Sequence, residues 1–404
     1  MNSKELGLTL AALRKKHGLT QAALAERLHV SDKTVSKWES GLGFPEVTQF
    51  PAIAEIFGVT VDYLMTGRLR GITLAGNIIA DIVKRVNCYP EKGMLANILS
   101  VSKAVGGSAP NTGIDLAKID PSLPVSVLGR VGDDDYGSFI LKKMQECGID
   151  VSGVKISSGT PTSFSDVMSL PSGERTFFSF RGANADFSPE DVDVSALTCN
   201  IFHIGYILLL DKMDAEDEEY GTALARLLHS VQQRGIKTSI DVVSSSNADD
   251  YAKKILPALP YCDYVIVNEI ECCYTFGINP RNEDGTLNTA AVETAMRKMQ
   301  EKGVREKVIV HAKEGGFALS SDGSFTKLGN LNIDRSLIKG SVGAGDAFCA
   351  GSLYGIYNGF SDKEILTFAA AAAACNLFAE NSVDGMRSAD EIRKLISENK
   401  MGEI

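Results

Sequence analysis

Two hydrophobic patterns divide the chain. Over residues 1–66 apolar positions recur at helical spacing, with no strand-like alternation. Leu6, Leu10 and Leu13 form one stripe, which stops at His17-Gly18. Thr20 is placed to cap QAALAERL and Ser31 to cap DKTVSKWE. Two short helices about a tight turn follow, the helix-turn-helix plan. Leu24, Ala25, Leu28, Val30, Val35 and Trp38 fall on the inward face. Gln21, Ser31, Asp32, Lys33, Thr34, Ser36 and Lys37 fall on the outward one. After Pro45, VTQFPAIAEIFG and TVDYLMTG supply packing helices. The pattern places a helical domain over 1–67, a linker at 68–71 and a second domain over 72–404.

From residue 72 strand-like runs alternate with amphipathic helical ones. The strands are predicted at 125–131, 201–204, 238–242, 264–267 and 307–311, with helices at 136–147, 221–234 and 289–302. This alternation predicts an α/β body, a mostly parallel sheet with helices on both faces, whose ligands bind at the carboxyl ends of the strands. SFSDVMSL, a turn at Pro171-Ser172-Gly173-Glu174, and RTFFSF read as a hairpin. With IADIVKRV and the residues before Val105 it predicts a small β lid, made from parts of 78–105 and 163–181. Such a lid excludes water from a site beneath it.

One stretch carries chemistry by itself. Gly340-Ser341-Val342-Gly343-Ala344-Gly345-Asp346 precedes a helix-like run. Glycines admit an anion close to backbone N–H groups, and a helix start adds positive potential. An acid there can serve as a base toward a group attacking that anion. A tight turn with a capping Asp reads equally well from these residues alone.

Composition narrows the class. Of 404 residues, 44% are hydrophobic and 23% charged, as in an ordinary globular protein. No apolar run approaches the ~20 residues needed to span a bilayer. With no signal-peptide layout at the start, a cytoplasmic protein is expected. Eight cysteines include no C-x-x-C pair, and no H-E-x-x-H is present, so reduced thiols rather than a zinc site are expected. Net charge is −10, unevenly spread: residues 1–70 hold nine Lys/Arg against seven Asp/Glu, the remainder 32 against 44. Contact with nucleic acid is therefore expected only from the N-terminal segment.

LTQAALAERLHVSDKTVSKWESG resembles the Xre/Cro-type helix-turn-helix family. The resemblance implies double-stranded DNA as a partner. Base-edge contact falls to Lys33, Thr34 and Lys37, with Gln21, Ser31 and Ser36 in the same interface and phosphate contact from Gln21 and Ser36. It also implies a homodimer on a palindromic site. GGSAPN at 106–111, GRVGDDDYG at 129–137, NEIE at 268–271 and GAGDAFCAG at 343–351 occur in that order. This ordered set resembles the ribokinase/PfkB family of carbohydrate kinases over about 71–395, which implies a ribokinase-like (Rossmann-like) fold with a β lid.

The family resemblance implies ATP, Mg²⁺ and a sugar or sugar-like molecule as ligands. Asp346 matches the catalytic base, and the backbone of Gly343, Ala344 and Gly345 the anion hole. Asn268 and Glu271 match the N-x-x-E motif that places Mg²⁺. Asp81, Gly106, Gly107 and Asn111 match the sugar site, and Asn184 follows the lid hairpin within reach of substrate. Asn268, Lys313, Gly315, Gly343 and Gly345 match the nucleotide side, and Ala369–Ala374 should pack beside it. Asp134 reads as a helix cap. The chain departs from the family at Gly340-Ser341, where relatives carry an acid and Thr near a monovalent-cation site. It departs again at Lys313 and at Asp241-Val242-Val243-Ser244. Two functions stay open: an ATP-dependent sugar kinase fused to a DNA reader, and a kinase-like sensor that regulates transcription with little or no turnover.

Overall fold

A computed structural model describes residues 3–57, 59, 61–66, 69–172, 174–244 and 248–404. The chain divides into two compact units, residues 1–71 with 193–200, and residues 72–192 with 201–404.

The first unit carries helices Ser3–Lys16, Gln21–Arg27, Asp32–Glu39, Phe50–Phe57 and Val61–Thr66. Both expected caps form: Thr20 Oγ1 accepts from the Ala23 N–H and Ser31 Oγ from the Thr34 N–H, each at 3.1 Å. His29, at the turn between those helices, takes a left-handed φ of 55°. Leu6, Leu10, Leu24, Val35, Trp38 and Phe57 form the core. Arg14 holds Glu39 through two hydrogen bonds of 2.5 and 2.9 Å, which fastens the third helix to the first. Glu39 also accepts from the Gln21 side chain at 2.8 Å.

In the second unit, nine strands make one sheet. In spatial order they are Phe325–Gly329, Gly315–Ser320, Lys307–Ala312, Tyr264–Asn268, Lys237–Val242, Ile201–Ile207, Ile72–Gly76, Val125–Gly132 and Val154–Ser157. The last seven run parallel, and a hairpin closes the first edge. Ile72–Gly76 is buried throughout, as a central strand covered on both faces must be. Strand order reverses at Ile72–Gly76: its successor Val125–Gly132 lies on one side and Ile201–Ile207 on the other. A crevice opens at such a reversal, outside the carboxyl ends.

The expected lid is a four-stranded sheet in the order Ile98–Gly106, Ile79–Val86, Phe164–Ser169, Arg175–Phe180. One face packs on helix Asp135–Glu146: Ile82 is buried, Phe164 meets Tyr136, and the Lys103 ammonium sits 4.1 Å above the Phe139 ring. Asp134 caps that helix through the Gly137 N–H, as its place in the sequence suggested. No helix among the described residues is long and apolar enough to cross a membrane.

Candidate active site

Asp346 lies in the first turn of helix Ala344–Tyr357, whose N-cap is Gly343 at φ 80°. A Cβ on Gly343 would stand 2.6 Å from the Ser382 carbonyl oxygen, so only glycine lets this loop seat against residue 382. The first-turn N–H groups have no partner within the helix and face the crevice with its positive end. Asn376 Nδ2 donates to the Val342 carbonyl at 2.9 Å and steadies the loop from behind.

Asp346 is 4% exposed. Its Oδ2 accepts from Asn111 Nδ2 at 2.9 Å and from the Tyr206 hydroxyl at 3.2 Å. Burial pushes the carboxyl up to about 7; both donors oppose that shift, and the charge of Asp81 adds to it. A carboxyl half-ionised near neutrality, aimed into a crevice, is suited to take a proton from a hydroxyl. Tyr206 holds φ at 58° and Leu208 at 84°, a left-handed excursion by bulky residues next to the carboxylate.

On one side of Asp346 lies a cavity of about 210 Å³, lined by Tyr206, Asp241, Asn268, Glu271, His311 and Asp346. Asn268 caps helix Glu269–Tyr274 and exchanges bonds with Glu271 in a capping box. Its Nδ2 also donates to Glu271 Oε1 at 2.7 Å, and the Ser244 hydroxyl donates to the same oxygen at 2.8 Å. The capping Asn expected of a plain helix start is therefore present, yet Glu271 is buried rather than facing solvent. Burial pushes its carboxyl up to about 8. Asp241, also buried, is raised by burial and by the charges of Glu271 and Asp346. Carboxyls gathered around so small a cavity are costly to ionise without a cation. No three acidic, His or Cys side chains among the described residues are grouped closely enough to hold a metal by themselves, so the oxygens of Glu271, Asp241 and Asn268 fit a Mg²⁺ only together with bound phosphates. Gly340 contributes no side-chain oxygen, and a Cβ there would already lie 2.9 Å from the Ala379 carbonyl.

A second cavity, of about 550 Å³, meets the first at His311 and Gly345. Leu331, Ile333, Phe348, Ala370 and Ala373 give it apolar walls; Lys313 and Arg335 give it cations. The small-residue helix thus lines it as expected. His311, held against the Phe348 ring at 5.1 Å, is pushed down to about 4 by burial and stays neutral. Gly315 does not line the cavity: it starts the edge hairpin, where a side chain would run into Leu328 and Ile404. Its expected place beside nucleotide is corrected to a strand-packing one.

On the lid side, Gly106 adjoins Asp81 so closely that any Cβ would collide with the carboxylate. Burial pushes Asp81 up to about 6, against the pull of Arg175. Gly107 is the N-cap of helix Ser108–Ile119, which carries Asn111. Asn111 Nδ2 is engaged by Asp346 and its buried Oδ1 has no partner, leaving an acceptor. Asn184 differs from expectation. Its Oδ1 accepts from the Ile78 N–H, and its Nδ2 donates to Asn77 Oδ1 and the Ile78 carbonyl. It is 1% exposed and shapes the Asn77-Ile78 bend instead of offering atoms to a ligand.

In the helical unit Lys33, Ser36 and Lys37 are exposed along one helix. Ser31 and Thr34 bond each other at 2.8 Å, and the Gln21 amide donates one of its two N–H groups to Glu39, which leaves the other for a phosphate.

Sequence reasoning missed Tyr206, Asn77 and His311, and gave Asp241 no role. Each sits at a strand's carboxyl end, where no local pattern separates a site residue from a core one.

The pfkB family carbohydrate kinase profile matches residues 73–388, and a helix-turn-helix profile matches 10–64. The 5-dehydro-2-deoxygluconokinase of Geobacillus thermodenitrificans is 25% identical over 316 residues, 75% of this chain and 87% of that one. Its namesake from Listeria monocytogenes is 27% identical over 319 residues, 74% and 89%. In structure the chain is similar to an Arabidopsis thaliana ribokinase complexed with ribose and ATP. The TM-score is 0.67 at 21% identity, covering 81% of this chain and 99% of the other. It is similar also to a putative ribokinase II from E. coli in complex with ATP and Mg²⁺, with a TM-score of 0.66 at 19% identity, covering 82% and 100%. With the glycine loop, the buried acid and the β lid in their places, this chain belongs to the pfkB family of carbohydrate kinases and carries an N-terminal helix-turn-helix domain.

Proposed function

We propose that the second unit transfers the γ-phosphoryl of ATP to a hydroxyl of a sugar, with Asp346 as the base. The observation that carries this reading is a buried carboxyl near neutrality, held by Asn111 and Tyr206 at the first turn of a glycine-led helix. The acceptor hydroxyl sits against Asp346, with Asp81 and Asn111 Oδ1 taking hydrogen bonds from its neighbours. The backbone at Gly343, Ala344 and Gly345 faces the transferring group and neutralises its charge. The larger cavity holds the nucleotide, with Lys313 at its mouth. Glu271, Asn268 and Asp241 would hold Mg²⁺, which supplies charge neutralisation at the phosphates. The curated relatives' name denotes a derivative of gluconic acid, and we take a sugar acid as the substrate class.

The helical unit reads DNA with Lys33 and Lys37, as a homodimer on a two-fold site in the cytoplasm. The kinase ligands then serve as its signal. One reading without turnover has its own support: Gly340 stands where the family resemblance implies an acid in the loop before the base.

A screen of sugars and sugar acids for ATP consumption by the purified chain tests the kinase. Asp346→Asn should lose about 10³-fold in kcat, the scale of a general base. Near-normal turnover in that variant sinks the assignment. A DNA-shift titration with and without substrate plus ATP tests the coupling; identical affinity in every condition overturns it.

A further inference from the structure

The lid carries cations of two kinds, separated by its two faces. Successive residues of a strand point to opposite sides, so register fixes which side each occupies. Asp81 pairs with Ser165, which pairs with Ser179; Arg85 pairs with Ser169, which pairs with Arg175. Counting by twos along Ile79–Val86, Asp81 and Arg85 share a face, and the register brings Arg175 to it as well. Ile82, Lys84, Lys103 and Phe164 take the other face. There Lys84 is tied to Asp166 at 2.5 Å, and Lys103 lies over Phe139. On the Asp81 face, neither Arg85 nor Arg175 forms a salt bridge among the described residues. Arg175 is near enough for its charge to oppose the upward shift of the Asp81 carboxyl. Arg181, at the hairpin's end, is placed differently: it leans on the Leu208 carbonyl and lies 3.8 Å from Asp211.

From this placement we infer that Arg175 is the residue that reads the carboxylate of the sugar-acid substrate class proposed above. The inference rests on the kinase reading above for the location of the sugar site. Asp81 accepts hydroxyls near the reacting end. The unpaired guanidinium, on the same face and further along the lid, meets the far end of a short sugar chain. A planar fork of donors matches a carboxylate bidentately. Without ligand the guanidinium offsets the Asp81 charge; an incoming carboxylate gives it a stronger partner and draws the lid over the sugar. A neutral sugar offers no such partner.

The test uses the full chain carrying Asp346→Asn, so that binding is read without turnover. Calorimetric titration compares 5-dehydro-2-deoxygluconate with its counterpart bearing a hydroxymethyl group in place of the carboxylate. The acid should bind at least ~10-fold more tightly. Adding Arg175→Met should weaken the acid roughly 30-fold, the scale of one charge-assisted pair, and erase the preference. Arg175→Lys should restore part of it, and Arg297→Met, on a distant helix, none of the loss. Equal binding of acid and neutral counterpart, or undiminished acid binding by Arg175→Met, overturns the inference. A chain that binds the acid through Arg175 but shows no ATP consumption with Asp346 intact overturns the kinase reading alone.

Discussion

Asn111 and Asp346 stand 235 residues apart in the chain and share a hydrogen bond of 2.9 Å. The bond joins the helix after the lid to the helix after the glycine loop. Asn111 donates, so it favours the ionised carboxylate against the burial that disfavours it. Asn111→Leu removes the donor at similar volume. The acidic limb of the kcat–pH profile should then move up from about 7 by about one unit, since a bond to a charged group is worth roughly 1.5–3 kcal/mol. Turnover at pH 7 should drop about fivefold and recover at pH 9. Tyr206→Phe should move the limb the same way by less, its bond being longer at 3.2 Å. A limb that stays in place in both variants would assign it to another group.

Stability should fall as pH rises. Asp115 is wholly buried, neither carboxylate oxygen has a partner, and burial with the charge of Asp346 raises its pKa well above the ordinary value. Asp346 at about 7, Glu271 at about 8 and Asp81 at about 6 shift in the same direction. Above pH ~4 the native state holds protons that the unfolded chain has released, so each unit of pH favours unfolding until the folded values are passed. The unliganded melting temperature should decline from pH 5 to pH 8. Asp115→Asn should make that decline shallower and raise the melting point at pH 8 by a few degrees. Calorimetric scans at four pH values decide it; stability that climbs over the same range contradicts the burial argument.

Much of this was legible from the chain. Thr20 and Ser31 cap the helices the pattern assigned them, and the hairpin about residues 171–174 forms the lid's outer pair. Strand ends were harder. The run expected at 201–204 continues to Ile207, and Tyr206, inside that extension, reaches Asp346 with its hydroxyl. Gly205 and a left-handed Tyr206 break the β-branched pattern, so periodicity stops where the site begins. Partnerships were not legible at all. Asn184 looked like a ligand-facing amide because nothing local reveals that Asn77 and Ile78 hold it. Such pairings are set by tertiary packing, which a one-dimensional pattern does not encode.

Glycines 343 and 345 should respond unequally. At Gly343 the backbone is left-handed and a Cβ would press on Ser382 at 2.6–2.7 Å. Gly343→Ala should cost ~1–2 kcal/mol for the conformation alone and displace the loop as well. Turnover should fall by at least ~100-fold, while far-ultraviolet circular dichroism stays native. At Gly345 a Cβ would meet His311 at 3.4 Å, an ordinary contact. Gly345→Ala should therefore keep the wild-type melting point while lowering turnover through the narrowed junction of the two cavities. Equal melting-point losses in both would refute the geometric distinction.

Lys33 and Lys37 lie one turn apart, both exposed, on a helix whose other face buries Val35 and Trp38. A short helix presented this way enters the major groove with its first turns. On the proposed DNA-reading role Lys33 contacts base edges, and its loss should relax sequence preference at one or two positions by ~1–3 kcal/mol each. If Lys37, a turn further along, meets the adjoining base edge as proposed, Lys37→Ala should relax a different position of the same half-site. Ser36, proposed as a phosphate contact, should behave otherwise: Ser36→Ala should weaken all sequences alike. Gln21 is held by Glu39, so Gln21→Ala should change affinity less than either lysine. Selection of bound fragments from random DNA, repeated for each variant, separates these outcomes. Identical preferred sequences for wild type, Lys33→Ala and Lys37→Ala would show that this helix does not read bases.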